Sequence, residues 1–400
     1  MNKINKHYRT ISKALRASKY PDPYFCSKYT FSPYMACEHG CVYCDGRAER
    51  YYVEGNYDED IVIKRNIPEL LEAEIPKLKE KAPVIVGSGI SDPYQPVENE
   101  EQLIRKSALI LAKNNFPAAV MTKSALILRD LEIWYKVAQR SNFVLLISLT
   151  FTDDDLRKIF EPKTAPVQER FDIMRKFKQK GMHVGVMAMP FLPFINDKED
   201  KIDKLFAKLK NIGVDFVLPA SLTLRPGRQK QFYLNTIESE FPHLLESYQK
   251  LYANELSSGS PVYKYRNKFY KLVSKIQANY EIPQEIPHYV YKNSFPIYDE
   301  IFILLQHMQN LYKRANIDIS NLKHAANRYK KWLLDWKNYL IRKKSINQRI
   351  IETEFLKYVK SSHLNRIINN KKLADFIKQV VLAGKIFDYQ NLKLTESNPA

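Results

Sequence analysis

Short apolar runs alternate with amphipathic stretches through the first half of the chain. PVIVGSG is a continuous apolar run closed by glycine. AAVMTK repeats the pattern, and FVLLISLTF is the most apolar run of all. HVGVMAM and VDFVLPA continue the series. Between them lie segments of helical period. IPELLEAEIPKLKEK comes first. EEQLIRKSALILAKN puts Leu103, Ile104, Ala108 and Leu111 on one face, and LRDLEIWYKVAQ follows. APVQERFDIMRKFKQKG stops at Gly181, and DKIDKLFAKLKNIG sets Ile202, Leu205, Phe206 and Leu209 in register before Gly213. Buried-type strands separated by crossover-length helices predict an α/β fold with a parallel sheet. One further strand before or at the cysteine loop gives six β/α units. In a barrel of such units, functional groups gather just beyond the C-terminal ends of the strands.

The pattern changes after about residue 240. LSSGSP is a loop signal, and EIPQEIPHYVYKNSFPIYDE is proline-punctuated and reads as extended. From about Phe302 the period is helical until a polar tail, NLKLTESNPA. The expected organisation is a basic N-terminal extension over 1–23 and a β/α domain over 24–240. An irregular connector over 241–300, a basic helical region over 301–390 and the tail over 391–400 follow.

Composition narrows the class. Of 400 residues, 45% are hydrophobic and 12% aromatic, enough for a sizeable core and incompatible with a disordered or collagen-like chain. No apolar run approaches the ~18 residues of a membrane span. The segment MNKINKHYRTISKALRASKY lacks the apolar centre of a signal peptide, so the expectation is a cytoplasmic protein with no membrane partner. Lys and Arg number 63 against 44 Asp and Glu, a net +19. That excess favours polyanions such as nucleic acid, although a chain rich in lysine throughout carries it without such a partner. Residues 321–400 hold 17 Lys and Arg against 6 Asp and Glu, so 11 of the 19 net charges lie there. The same segment has Tyr329, Trp332, Trp336 and Tyr339 at helical spacing, which reads as a packing stripe ahead of a base-stacking surface. The pattern fixes no oligomeric state.

The four cysteines carry the chemistry. Cys26, Cys37, Cys41 and Cys44 all lie near the N-terminus, and residues 45–400 contain none. CEHGCVYC is a Cys-x3-Cys-x2-Cys run, and a dense thiol cluster in a reducing compartment points to metal or redox chemistry. Structural zinc needs four closed ligands, so Cys26 or His39 would have to complete the set. A four-iron cluster takes cysteine thiolates, and three of them leave one iron open. Three cysteines without a second pair suit such an open cluster better than closed zinc. Cys26 then reads as a buried thiol, and His39 as a turn or supporting residue. Arg47 reads either as neutralising cluster or carboxylate charge or as a surface ion-pair partner.

At these residues the chain resembles a family. The run Cys37-x3-Cys41-x2-Cys44, with Tyr43 before the last cysteine, is similar to the radical S-adenosylmethionine signature. SPYMACEHGCVYCDGRAERYYVEG resembles the branch related to spore photoproduct lyase. The similarity continues through VIVGSGISDPYQPVE, VMTKSALILRD, LLISLTF, EPKTAPVQERFDIMRKFKQKGMHVGVMAMPFLPFIND and VLPASLTLRPG, from about residue 24 to 228.

The resemblance implies a partial (β/α)6 barrel with a mostly helical C-terminal region. It implies a [4Fe-4S] cluster on Cys37, Cys41 and Cys44 and the reductive cleavage of S-adenosylmethionine. The 5′-deoxyadenosyl radical so formed would abstract hydrogen from a substrate, and the reductant would be of the flavodoxin or ferredoxin kind. Tyr43 would lie near the adenine, and Gly87, Ser88 and Gly89 would hold the methionyl amine. Ser91 and Asp92 would lie by the substrate. Lys123, after the third strand, is placed to pair with the methionyl carboxylate. Ser148 and Thr150, at the end of the fourth, are placed to meet the ribose. Met187 and Met189 read as core. Arg225 reads as a substrate or carboxylate ligand or as a structural ion pair. In spore photoproduct lyases the hydrogen-donating cysteine comes two residues before the Ser of Ser-Asp. Here that position is Gly89, which speaks against thymine-dimer repair by that hydrogen-return route. Two alternatives stand beside the radical enzyme: a nucleic-acid lesion lyase, and a non-catalytic metal-stabilised nucleic-acid-binding protein.

Overall fold

The computed structural model describes residues 4–87, 89–341 and 347–396. The chain divides into two compact units. The first comprises Met1–Arg16, Thr30–Ala73 and Ile85–Gln284, the second Ala17–Tyr29, Glu74–Val84 and Glu285–Ala400.

The first unit opens with β1 (Asn5–Arg9), the end of β2 (Ser27–Phe31), β3 (Tyr34–Met35) and β4 (Asp60–Lys64). It continues with α1 (Ile67–Glu74), β5 (Val84–Val86), α2 (Leu103–Lys113), β6 (Ala118–Thr122) and α3 (Leu131–Arg140). Then come β7 (Phe143–Ser148), α4 (Val167–Gln179), β8 (His183–Phe191), α5 (Glu199–Ile212) and β9 (Phe216–Ser221). Helices α6 (Arg228–Glu240), α7 (Leu245–Leu251) and α8 (Tyr263–Asn279) close it. Strands β5 to β9 lie side by side in chain order, and β2 neighbours β5. The pairs β6–β7, β7–β8 and β8–β9 are parallel. Six strands in this order, with helices between them, have the architecture of a partial barrel. A small sheet stands beside it, with β1 parallel and β3 antiparallel to β4.

The apolar runs become strands because helices cover them. All six residues of β7 are buried. Phe143 stacks on Trp134 of α3 at 4.9 Å and meets Phe177 of α4 at 6.0 Å. Parallel strands so covered need no polar alternation, which is why FVLLIS reads as one continuous run. Gly185 of β8 is register partner to Phe216 of β9, whose ring occupies the space a side chain would take.

The second unit is mainly helical: α9 (Ile297–Arg314), α10 (Ser320–Ile341), α11 (Gln348–Lys360), α12 (His363–Ile368) and α13 (Lys371–Leu382). A hairpin of β10 (Ile386–Asp388) and β11 (Lys393–Thr395) follows. The aromatic stripe is core. Trp332 stacks on Trp336 at 5.1 Å, and Tyr298 and Phe355 close on Trp336 at 5.8 and 6.0 Å. Tyr329 is buried and Tyr339 is exposed. Beside this core, Lys28 and Lys337 meet Glu80 and Asp299. Lys28 Nζ lies 2.6 Å from Asp299 and also pairs with Glu80, while Lys337 Nζ is 2.8 Å from Glu80.

The irregular connector expected over 241–300 is instead largely helical. It holds α7, α8, a short turn at His288–Tyr291 and the start of α9. Its prolines mislead because Pro287 and Pro296 are N-caps, where a missing N–H costs nothing. The segment 1–23 likewise contains β1 and the strand Arg16–Asp22.

Two predictions follow from this packing. Gly185→Ala drives a methyl into the Phe216 ring and should cost about 1–3 kcal/mol, read as a lower urea midpoint. Burial raises the Glu80 carboxyl, but Lys28 and Lys337 outweigh it and hold it at about 2, below its ordinary 4.5. The unfolded chain therefore takes up this proton first as the pH drops. Stability from the cluster should be complete above about pH 5 and drain away towards about pH 2. Urea midpoints followed by tryptophan fluorescence at several pH values check this. Glu80→Gln together with Lys337→Met should flatten the dependence.

Candidate active site

The cysteine loop leaves β3 through Ala36, whose φ of +66° turns the chain. Its backbone is buried, so its polar groups need partners. Cys37 N–H donates to Tyr57 O at 3.2 Å and Val42 N–H to Phe160 O at 2.9 Å. Ala36 O accepts from Ser91 Oγ at 2.8 Å and from Gln95 Nε2 at 3.2 Å. Glu38 N–H donates to Gln95 Oε1 at 2.9 Å, and the Glu38 carboxylate accepts from Val97 N–H at 2.7 Å. Arg47 Nε donates to Cys41 O at 3.0 Å. Its guanidinium pairs with both oxygens of Asp58 at 2.8 Å and stacks 3.9 Å from the Phe232 ring centre. Gln229 of α6 donates to Tyr43 O at 3.1 Å. The segment after β5, Arg47 and α6 thus clamp the loop from three sides.

All three loop thiols are unpaired. Cys37 and Cys41 are buried, and Cys44 is half-buried. Burial pushes the Cys37 and Cys41 thiols up, and each feels its neighbour's charge, Cys41 on Cys37 and Cys44 on Cys41. Backbone N–H groups of Asp92 and His39 approach the Cys37 sulfur. Cys44 Sγ is 3.3 Å from the Tyr57 hydroxyl, which itself donates to Ile90 O. Among the described residues no three His, Cys, Asp or Glu side chains converge as ligands of a single ion would. His39 faces Asp92, with Nδ1 at 3.4 Å from the carboxylate. Cys26 belongs to the second unit, where it is buried and its thiol donates to Pro23 O at 3.7 Å.

The other sequence-marked residues follow the strands. Gly87 closes β5 with φ +98° and donates its N–H to Phe31 O at 2.8 Å. Ser88 lies outside the described residues. Gly89 has open space where a side chain would stand. Ser91 is engaged with the cysteine loop. Asp92 accepts from the Thr122 hydroxyl at 2.6 Å, from Lys123 N–H at 2.7 Å and from Tyr94 N–H at 2.9 Å. Burial raises its carboxyl, but His39, Thr122 and the Lys123 N–H together hold it down at about 2. Lys123 is half-buried, 5.8 Å from the centre of the Tyr43 ring, and its ammonium makes no ion pair among the described residues. Burial disfavours its charge, yet Cys41 and Glu161 nearby raise its pKa above the ordinary value. Ser148 O accepts from Arg170 at 3.0 Å. The Thr150 hydroxyl donates to Pro190 O at 2.7 Å and accepts from Asn196 at 3.1 Å. Met187 is core and Met189 half-buried. Arg225 pairs with Asp45 at 2.7 Å and donates to Ser257 O at 2.6 Å, which is the ion-pair reading.

A buried network escaped the sequence reading. Glu161 and Arg170 are both fully buried and pair at 2.5 Å. The Tyr43 hydroxyl donates to Glu161, and Arg170 also donates to the Thr164 hydroxyl at 2.5 Å. Tyr43 is therefore fixed at its hydroxyl by Glu161 and at its carbonyl by Gln229. Both charged residues lie in EPKTAPVQER, a stretch whose density of polar groups between a strand and a helix was the available signal.

Comparisons with known proteins bear on the family and the fold. Residues 31–206 match the model of the radical SAM superfamily. An uncharacterized protein of Mycobacterium tuberculosis is 27% identical over 229 residues, covering 56% of this chain and 67% of that protein. An uncharacterized protein of Acidianus two-tailed virus is 28% identical over 199 residues, covering 46% of this chain and 63% of its own length. Among solved structures, spore photoproduct lyase complexed with dinucleoside spore photoproduct aligns with a TM-score of 0.50 at 14% identity. The alignment covers 69% of this chain and 80% of that one, a likeness of fold. The family model covers residues 31–206, less than half of the chain, and over that stretch the sequence is similar to radical SAM enzymes.

Proposed function

We propose that Cys37, Cys41 and Cys44 hold a [4Fe-4S] cluster with one iron left open, and that the enzyme uses it to cleave S-adenosylmethionine reductively. The observation that carries this is a single clamped loop with three unpaired thiols and no fourth thiol in the same unit. The donor set fits the group. Thiolates on different irons of one cluster need not converge on a point, whereas the ligands of one zinc must. Backbone N–H groups at Cys37 would stabilise its thiolate form.

When bound, the cluster supplies the one electron that splits S-adenosylmethionine into methionine and a 5′-deoxyadenosyl radical. The protein's own groups bind, orient and exclude water. Lys123 brings a cation without a bonded counter-ion among the described residues to the side of Tyr43 in the cysteine loop, which suits the methionyl carboxylate. The fixed Tyr43 ring offers a flat apolar face for the adenine. The open space at Gly89 leaves its backbone accessible to the methionyl amine. Arg47 and Gln229 keep the loop in place as ligands come and go. An acidic reductant of the flavodoxin or ferredoxin kind would supply the electron.

The substrate radical must be resolved without a thiol of this unit, because no cysteine follows Cys44. This favours a hydrogen abstraction whose product does not depend on thiol return.

Anaerobic reconstitution should give about four irons per chain with absorption in the region of about 400 nm. Dithionite and S-adenosylmethionine should then yield 5′-deoxyadenosine, and Cys41→Ala should yield none. Lys123→Met should keep its iron yet raise the KM for S-adenosylmethionine about tenfold or more, the loss of one charge-assisted bond. One zinc per chain without sulfide would overturn the proposal.

A further inference from the structure

We propose that the C-terminal helices of the second unit form a docking surface for the phosphate backbone of duplex nucleic acid, centred where α10 meets the α12–α13 junction. Arg328 of α10 donates to Ile367 O at 2.8 Å and to Arg366 O at 3.2 Å, which brings it onto the last turn of α12. Arg366 stands in that turn. Asn369, in the left-handed region, and Asn370, the N-cap, reverse the chain into α13, whose first two residues are Lys371 and Lys372. Lys331 lies three residues beyond Arg328, on the same side of α10. All five are exposed, and none makes an ion pair among the described residues. Asp335 and Asp375 are the exposed carboxylates closest in sequence, so the junction keeps a clear positive excess.

The placement runs against what a helix prefers on its own. Lysines in a first turn oppose the helix dipole, and α13 has no acidic residue there to offset them. The same is true of α11, which carries Arg349 in its first turn and no acidic residue. A cost accepted at two helix starts and left without counter-ions suits a partner that brings the negative charge.

The chemistry selects phosphodiester over other anions. Lys and Arg dispersed over several helices match a ligand whose charge repeats, and such contacts position a duplex without reading its sequence. A single strand would call for aromatic platforms. Here Tyr329 and Trp336 are buried in the helical core and Trp332 is stacked within it, which leaves Tyr339 as the exposed ring of that stripe. A membrane surface would call for an apolar face beside the lysines. The large apolar side chains exposed on α11 and α13 are the single residues Ile350 and Leu382.

The test uses the full chain without cluster or S-adenosylmethionine, so its outcome is independent of the radical chemistry. Fluorescence anisotropy with a 20-base-pair DNA duplex at about 50–200 mM KCl should show binding that weakens steeply with salt. The triple variant Arg366→Gln, Lys371→Gln, Lys372→Gln should lower the logarithmic salt slope by about 2.7. Its affinity at the lowest salt should fall more than about tenfold, with circular dichroism and Tm unchanged. Duplex binding that is absent at the lowest salt, or unchanged in the variant, would overturn the proposal. So would tighter binding to a single strand of equal length or to phosphatidylserine vesicles.

Discussion

A short loop has to carry three thiols while burying its own backbone, and most of the site is arranged to let it do so. The buried peptide groups of the segment from Ala36 to Arg47 need hydrogen-bond partners. Ser91 and Gln95 take its first carbonyl, Arg47 takes the carbonyl of Cys41, and Gln229 takes that of Tyr43. One of these clamps is local, and the others come from two distant stretches of chain, so the loop depends on the strands and helix around it. Barrel and cysteine motif are therefore one structural statement.

A second constraint sits directly behind the loop. Glu161 and Arg170 form a fully buried ion pair, and a pair of this kind is weak evidence for stability by itself. Its partners give it a purpose. Glu161 fixes the Tyr43 hydroxyl, and Arg170 reaches Ser148 O and Thr164. With Glu161 already matched to Arg170, the ammonium of Lys123 has no bonded counter-ion among the described residues. A half-buried cation left in that condition near Cys41 is the electrostatic feature that points most clearly to an anionic ligand.

The strands, the helices between them and the cysteine loop were legible because each depends on local pattern. FVLLIS is apolar throughout since both faces are covered, and Gly181 and Gly213 follow helix ends. Residue type did not reveal residue partner. Ser91, Asp92 and Arg225 are expected at a substrate and Thr150 at the ribose, yet their polar atoms are engaged with Ala36, Thr122, Asp45 and Pro190. The pairing of Glu161 with Tyr43 joins residues more than a hundred positions apart, and nothing in either stretch announces the other. Residues 241–300 read as irregular because proline suggests interruption. Pro287 and Pro296 begin helices there.

The proposed chemistry requires a cluster that is incompletely saturated by protein. Mössbauer spectroscopy of the reconstituted enzyme, with and without S-adenosylmethionine, addresses this most directly. One iron in four should change its isomer shift when S-adenosylmethionine is added while the other three stay as they were. Four irons that respond alike, or none that responds, would mean that no open corner exists and would contradict the account.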